Sequence, residues 1–124
     1  MLAIEEARES ETANPSIAVT IANLARVLKD SGQLRKAKHF FLGALEMTEV
    51  DPSVFREDFS LYLRGCVAGV TMLLGLQHGS RVEGASDAAE GREALRMVLT
   101  MLTGPPLSLP STDSYVKRLQ EYNA

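Results

Sequence analysis

The side chains that most often perform nucleophilic, acid–base or metal chemistry are scarce in this chain. Its single cysteine is Cys66, and its two histidines are His39 and His78. No two of these residues have the short spacing of zinc ligands, so the sequence predicts no metal site. Cys66 lies in an apolar run, which favours a small buried hydrophobic residue over an activated nucleophile. We therefore predict a protein that is not an enzyme.

Glycines provide another route to chemistry, because exposed backbone N–H groups can bind phosphates. Gly75, Gly79 and Gly84 match neither a phosphate-binding loop nor a dinucleotide-binding fingerprint, so we expect no cofactor. Gly65 and Gly69 have the GxxxG spacing of contacts between membrane helices. Their charge-free run (65–76) is much shorter than the ~20 residues that span a bilayer. We expect a buried helix whose glycines admit a neighbouring helix, with its cover supplied by this chain or by another subunit.

Length and composition set the class of protein. A chain of 124 residues predicts one domain, and its low aromatic content of 6% favours closely packed helices over stacked sheets. The net charge of −3 argues against a nucleic-acid partner, because phosphate binding needs a basic surface. A lone cysteine and the absence of a secretory pattern at the start predict an intracellular, reducing compartment, either cytoplasmic or organellar.

The elements that must position these residues are clearest between residues 14 and 49. Apolar residues recur there at helical spacing, stop at Gly32, and then resume. Alanine occupies several positions where a larger core residue would be expected. This pattern predicts two antiparallel helices that approach closely. The packing residues that we expect are Leu24, Ala25, Gly32, Ala37, Phe41 and Ala44, with Ile21, Leu28, Leu34 and Leu45 completing the pattern.

This stretch resembles a tetratricopeptide repeat of the kinesin-light-chain type. The resemblance is carried by Asn14-Pro15, Asn23-Leu24-Ala25, the turn Gly32-x-Leu34-x-x-Ala37 and the closing Ala44-Leu45. The chain departs from that type at Leu34, where an aromatic residue is usual, and at Ala22, where an asparagine is common. The resemblance implies an all-α array of helical hairpins, with five or six helices in this chain.

The rest of the chain extends this reading into one domain over residues 1–124. Residues 9–50 form the best-defined repeat and residues 51–106 a degenerate one, with a loop insertion at 77–86. In that second repeat Gly75 would correspond to Gly32 and Ala94 to Ala37. We expect helices over residues 1–9, 16–30, 34–48, 51–76 and 87–103, with a left-handed Gly104 ending the fifth. A final helix within residues 111–124 caps the array.

The functional prediction follows from the first helix of the repeat. If Ile21, Leu24, Ala25 and Leu28 are buried, then Val19, Asn23, Arg26 and Asp30 form the adjoining stripe. The family resemblance implies that such residues line a groove and that Asn23 bonds a peptide backbone, although it would equally well brace neighbouring helices. We predict a non-catalytic protein–protein interaction scaffold, docked as an accessory subunit in a hetero-oligomeric assembly. Three alternatives remain: an adaptor for extended peptides, an enzyme or an enzyme's regulatory subunit, and membrane attachment through residues 59–76.

Overall fold

A computed structural model describes residues 14–77 and 82–123. Within these two ranges all regular secondary structure is helical and there is no strand, so the prediction of an all-α fold is confirmed. The helix expected over residues 1–9 lies outside the described residues. The described elements are α1 (Pro15–Asp30), α2 (Leu34–Val50), a 3₁₀ turn (Pro52–Val54), α3 (Glu57–Gln77), α4 (Val82–Thr103), α5 (Ser114–Gln120) and a second 3₁₀ turn (Glu121–Asn123).

Local signals define both ends of α1. The Asn14 side chain accepts a hydrogen bond from the Ser16 N–H at 2.9 Å, and Pro15 occupies the first helical position. At the other end Gly32 has φ +87°, a backbone conformation that favours glycine. Its N–H donates to the Lys29 carbonyl at 3.0 Å. The chain then reverses into α2, as the position of Gly32 predicts.

The third helix begins later than predicted. A helix was predicted from residue 51, but the Asp51 carboxylate accepts from the Ser53 N–H and caps only the short turn Pro52–Val54. α3 starts at Glu57. Arg56, just before the helix, donates two hydrogen bonds of 3.2 Å to the Asp58 carboxylate, which is buried. An ion pair therefore accompanies the true start of α3.

The fourth helix begins earlier than predicted. It starts at Val82, so residues 82–86 are helical and do not belong to a loop insertion spanning 77–86. It ends at Thr103, as expected from the sequence that follows. The way in which the helix ends differs from the prediction. Gly104 does not adopt a left-handed conformation, and the positive φ of +48° falls at Ser108. The Leu109 N–H donates to the Leu102 carbonyl at 2.9 Å, which turns the chain back along α4.

The α1–α2 hairpin packs through small residues. Ala18, Ala22 and Ala25 of α1 are buried, as are Ala37 and Ala44 of α2 on either side of Phe41. Because alanine allows two helix backbones to approach closely, this contact is tight. The prediction for Leu24 is wrong: its side chain is 46% exposed. The side of α1 that packs against α2 is therefore the one that carries the alanines, and not the one that carries Leu24.

α3 is the central helix, and α2, α4 and α5 all pack against it. At its crossing with α4, a Cβ on Gly91 would lie 2.6 Å from both the Ala68 carbonyl oxygen and the Met72 nitrogen. Gly91 is therefore the residue that permits this crossing. Ala94 is exposed, and Gly75 lies buried inside α3, so neither takes the role of Ala37 or Gly32 that the repeat alignment assigned to it.

The C-terminal helix packs on the glycine side of α3. Asp113 caps α5 by accepting from the Tyr115 N–H at 2.9 Å. A Cβ on Gly65 would lie 2.7 Å from Leu119, and a Cβ on Gly69 would lie 2.5 Å from the Tyr122 ring. Both glycines thus admit side chains of the same chain. α3 is long and apolar enough to span a membrane, with a mean hydropathy of 1.5 over its best window. Of that window 61% is buried within the protein, as in a core helix of a soluble protein.

Candidate functional site

The predicted groove stripe lies on one side of α1. Val19, Asn23 and Asp30 are exposed, and Arg26 is half-buried. Their spacing of three and four residues brings them onto one helical face, as expected. The stripe is therefore accessible along most of its length.

One end of that stripe meets the chain's own C-terminus. The Lys29 ammonium lies 4.6 Å from the centre of the Tyr122 ring and 3.2 Å from the Asp30 carboxylate. Tyr122 in turn packs against Gly69 of α3. The C-terminal turn thus fills the space between the end of α1 and the middle of α3. This contact narrows the surface that an extended peptide would need.

A second surface, which the sequence reasoning missed, lies on another side of the α1–α2 hairpin. Its residues follow three- and four-residue spacing on each helix, so each helix contributes one stripe. A groove of about 600 Å³ runs along it, with Ile21 on one wall and Phe40, Gly43 and Met47 on the other. We call this surface the terminal face. It comprises Ile17, Ile21, Leu24 and Leu28 of α1 and Phe40, Gly43, Met47 and Val50 of α2.

The terminal face is apolar and uncovered by the part of the chain that the structure describes. Leu24 is 46% exposed and Val50 is 63% exposed, and the larger side chains between them are only partly buried. Contiguous exposed apolar surface of this kind usually marks a contact site. A signal for it was present in the sequence, since Ile17, Ile21, Leu24 and Leu28 repeat at spacings of four, three and four. That signal was assigned to the core, which the alanines occupy instead.

Two features of α2 have no explanation within residues 14–77 and 82–123. A Cβ on Gly43 would meet nothing within 4 Å, yet glycine inside a helix costs about 0.5–1 kcal/mol relative to alanine. The charges of α2 also oppose its dipole. Arg35 and Lys36 stand in the first turn, where acidic residues are stabilising, and Glu46 and Glu49 lie toward the other end. All four of these charged residues are exposed.

Cys66 is enclosed at the centre of the protein. It is 1% exposed, and the hydroxyls of Tyr62 and Tyr122 are its polar neighbours, with Lys29 and Arg118 further away. Burial raises the pKa of the Cys66 thiol to about 12, and burial also raises the pKa of both tyrosines. The thiol is therefore protonated and shielded, which are the opposite conditions to those of a reactive cysteine.

Metal ligands do not cluster in the described ranges. Within residues 14–77 and 82–123 no group of three or more His, Cys, Asp and Glu side chains could hold a metal ion. His39 is exposed on α2, with its ring 5.5 Å from that of Phe40. His78 lies outside the described residues.

Comparisons with known proteins add no relative to this description. No protein-family model, no curated protein and no solved structure matches the chain at a significant level.

Proposed function

We propose that this protein is a non-catalytic scaffold for protein–protein contacts, acting as an accessory subunit of a larger, hetero-oligomeric assembly in a reducing intracellular compartment. In this proposal its helices form a tetratricopeptide-like array, in which α1 and α2 are the one well-formed repeat. The observation that carries the proposal is the terminal face. An apolar two-helix surface exposed to water is costly unless a partner covers it.

The chemistry of the interior supports a structural role. The chain's one thiol is buried and has a raised pKa, and most other residues of α3 are buried against the neighbouring helices. Helix contacts made through alanine and glycine give a rigid body with a fixed outer shape. A rigid body with one apolar face suits docking better than catalysis.

The experiment compares the size of the native assembly for two matched variants. Leu24→Glu/Val50→Glu places charges on the terminal face, and Met97→Glu/Met101→Glu places them on equally exposed apolar positions of α4. In extracts of the source cells, we expect the wild type and the α4 variant to elute in a complex well above the 13.5 kDa chain. The terminal-face variant should elute at lower mass.

Two results would refute the proposal. One is a wild-type chain that elutes free from other proteins, and the other is a terminal-face variant that remains fully assembled. Circular dichroism of both purified variants verifies that each is folded. All four substituted side chains are largely exposed, so neither variant should unfold.

A second candidate is an adaptor that binds an extended peptide along Val19, Asn23, Arg26 and Asp30. The exposure of Asn23 favours it, because an amide side chain can both donate to and accept from a peptide backbone. Asn23→Ala and Arg26→Ala separate the two candidates. Loss of partner binding in these variants, with no effect of Leu24→Glu/Val50→Glu, would favour the adaptor.

A further inference from the structure

We infer that the terminal face binds the terminal face of a second copy of this chain, with the two α2 helices antiparallel and crossing at Gly43. This inference rests on the proposed function, because it takes the face as a docking surface; with a second copy on that face, the dimer would be the unit that contacts the other subunits of the assembly. The reasons are the symmetry of the apolar stripes, the unexplained glycine and the reversed charges of α2.

The first reason is that both stripes are symmetric about one level of the hairpin. The midpoint of the α1 stripe lies between residues 22 and 23. Ile17 and Leu28 lie equally far from this midpoint along the helix, and so do Ile21 and Leu24. On α2, Phe40 and Met47 flank Gly43 in nearly the same way. Ile21 and Gly43 line the same groove, so the two midpoints lie at one level. A two-fold axis through that level would pair Phe40 with Met47 of the partner subunit and place Val50 against the aliphatic part of Lys36 of the partner subunit, so most of the α2 stripe would meet apolar atoms, as an isologous interface requires.

The second reason is the glycine at the centre. Gly43 lies at the middle of the α2 stripe, with open space where its Cβ would be. Packing against the residues that the structure describes therefore does not explain the glycine. A helix that crosses there would, because two facing glycines let backbones approach as closely as they can. The same logic already holds inside the chain, where Gly91 permits the crossing of α3 and α4.

The third reason is the order of charges along α2. In an antiparallel pair, the Lys36 end of one helix lies beside the Glu46 end of the other. Lys36 and Glu46 are both exposed, and Lys36 stands in the first turn, where a positive charge is unfavourable for its own helix dipole. An ion pair with Glu46 of the partner subunit would offset the unfavourable position of Lys36 in its own helix. The two-fold axis would create a second, identical ion pair. A parallel arrangement would place like charges together, so the charges select the antiparallel one.

The size of the surface is sufficient for a weak dimer. α1 and α2 contain 16 and 17 residues, so each is roughly 25 Å long. Two helices side by side present a footprint of roughly 500 Å² on each copy, or about 1,000 Å² in total. That value lies at the lower end of specific interfaces. We expect dimerisation with a Kd on the order of micromolar.

The test uses sedimentation equilibrium of the purified full chain and a charge-exchange design. Lys36→Glu alone and Glu46→Lys alone should each weaken dimerisation by about tenfold, because each brings like charges together twice per dimer. Mixed in equal amounts, the two variants should form a heterodimer close to wild-type affinity. Both substitutions improve the charge order of α2, so loss of folding would not explain a monomer.

A variant of the crossing point provides a second readout. Gly43→Leu should weaken dimerisation by at least about tenfold through overpacking, whereas Ala89→Leu, at an exposed position of α4, should not. Under oxidising conditions Gly43→Cys should form a covalent dimer. The single cysteine of the wild type, Cys66, is buried, so the wild type should form no covalent dimer and serves as the control.

A wild-type chain that is monomeric throughout the concentration range would overturn the inference, whether another segment of this chain or a different protein covers the face. So would a dimer that tolerates Gly43→Leu, or single charge variants whose mixture does not recover. A monomer that still assembles with another protein through Leu24 and Val50 would refute self-pairing and leave the proposed function standing.

Discussion

Gly91→Ala is the substitution whose effect the structure defines most sharply. The added Cβ would lie 2.6 Å from the Ala68 carbonyl oxygen and 2.6 Å from the Met72 nitrogen, both in the backbone of α3. Carbon does not approach such atoms this closely. Because neither contact is with a flexible side chain, relief requires α3 and α4 to move apart. These two helices form the largest contact in the described fold.

The expected change in the free energy of unfolding for Gly91→Ala is the sum of two opposing effects. Overpacking a well-packed contact costs about 1–3 kcal/mol, and backbone contacts place this site in the upper part of that range. Alanine in place of a helical glycine returns about 0.5–1 kcal/mol. We expect a net loss of about 1–2 kcal/mol in the free energy of unfolding. With a urea m value of about 1–3 kcal/mol/M, the midpoint should fall by roughly 0.5–1 M.

The assay is urea unfolding followed by circular dichroism, with Gly43→Ala as the matched control. Gly43 also lies inside a helix, but its added Cβ meets nothing within 4 Å. In dilute solution, where the chain is monomeric, Gly43→Ala should therefore raise stability by about 0.5–1 kcal/mol. If Gly91→Ala equals or exceeds the wild type in stability, the described α3–α4 crossing is wrong.

Four further predictions concern the C-terminal helix and the core. Gly69→Ala should destabilise by about 0.5–1.5 kcal/mol, less than Gly91→Ala, because the Tyr122 ring can shift whereas a backbone cannot; equal losses in urea unfolding would contradict this. Asp113→Ala should cost about 1 kcal/mol by removing the cap of α5, and Asp113→Asn should recover most of it in the same assay. Cys66 should resist iodoacetamide in the native state, and rapid alkylation would contradict its burial. Burial raises the pKa of the Cys66 thiol to about 12, so the thiol ionises at lower pH in the unfolded chain than in the folded one. The free energy of unfolding should therefore fall as pH rises from about 9 toward 12, and it should fall less steeply in Cys66→Ala. Parallel profiles of urea midpoint against pH in the two proteins would contradict this.

Sequence reasoning succeeded where a local signal decides the structure. A helix that starts close to Pro15 and stops at Gly32 was predicted, and the Asn14 cap and the positive φ of Gly32 define these ends through contacts within a few residues. It failed where a choice between surfaces depends on the rest of the fold. α1 has both an alanine side and a leucine side, and hydrophobicity alone favours burying Leu24. Close packing selected the alanines instead, since only they allow the backbones to approach.

The second half of the chain shows the same limit. A loop was predicted over residues 77–86, which include Gly84, but residues 82–86 fall inside α4, whose contact with α3 outweighs the low helix propensity of that glycine. The closeness of Gly91 to α3 was not predictable, because it depends on which turn of each helix meets the other. For the candidate site, the exposed stripe of Asn23 and Asp30 was foreseen, and the terminal face was not.

The most direct test of the central claim measures whether the terminal face is covered in the native assembly. Val50→Cys and Met97→Cys place thiols at positions of similar exposure, 63% and 54%, on the terminal face and on α4 respectively. Purified chains should alkylate at similar rates at both positions in dilute solution. In gently opened source cells, we predict that Val50→Cys becomes at least about tenfold slower while Met97→Cys is unchanged. Equal rates at the two positions in the cell extract would contradict a docking role for this face.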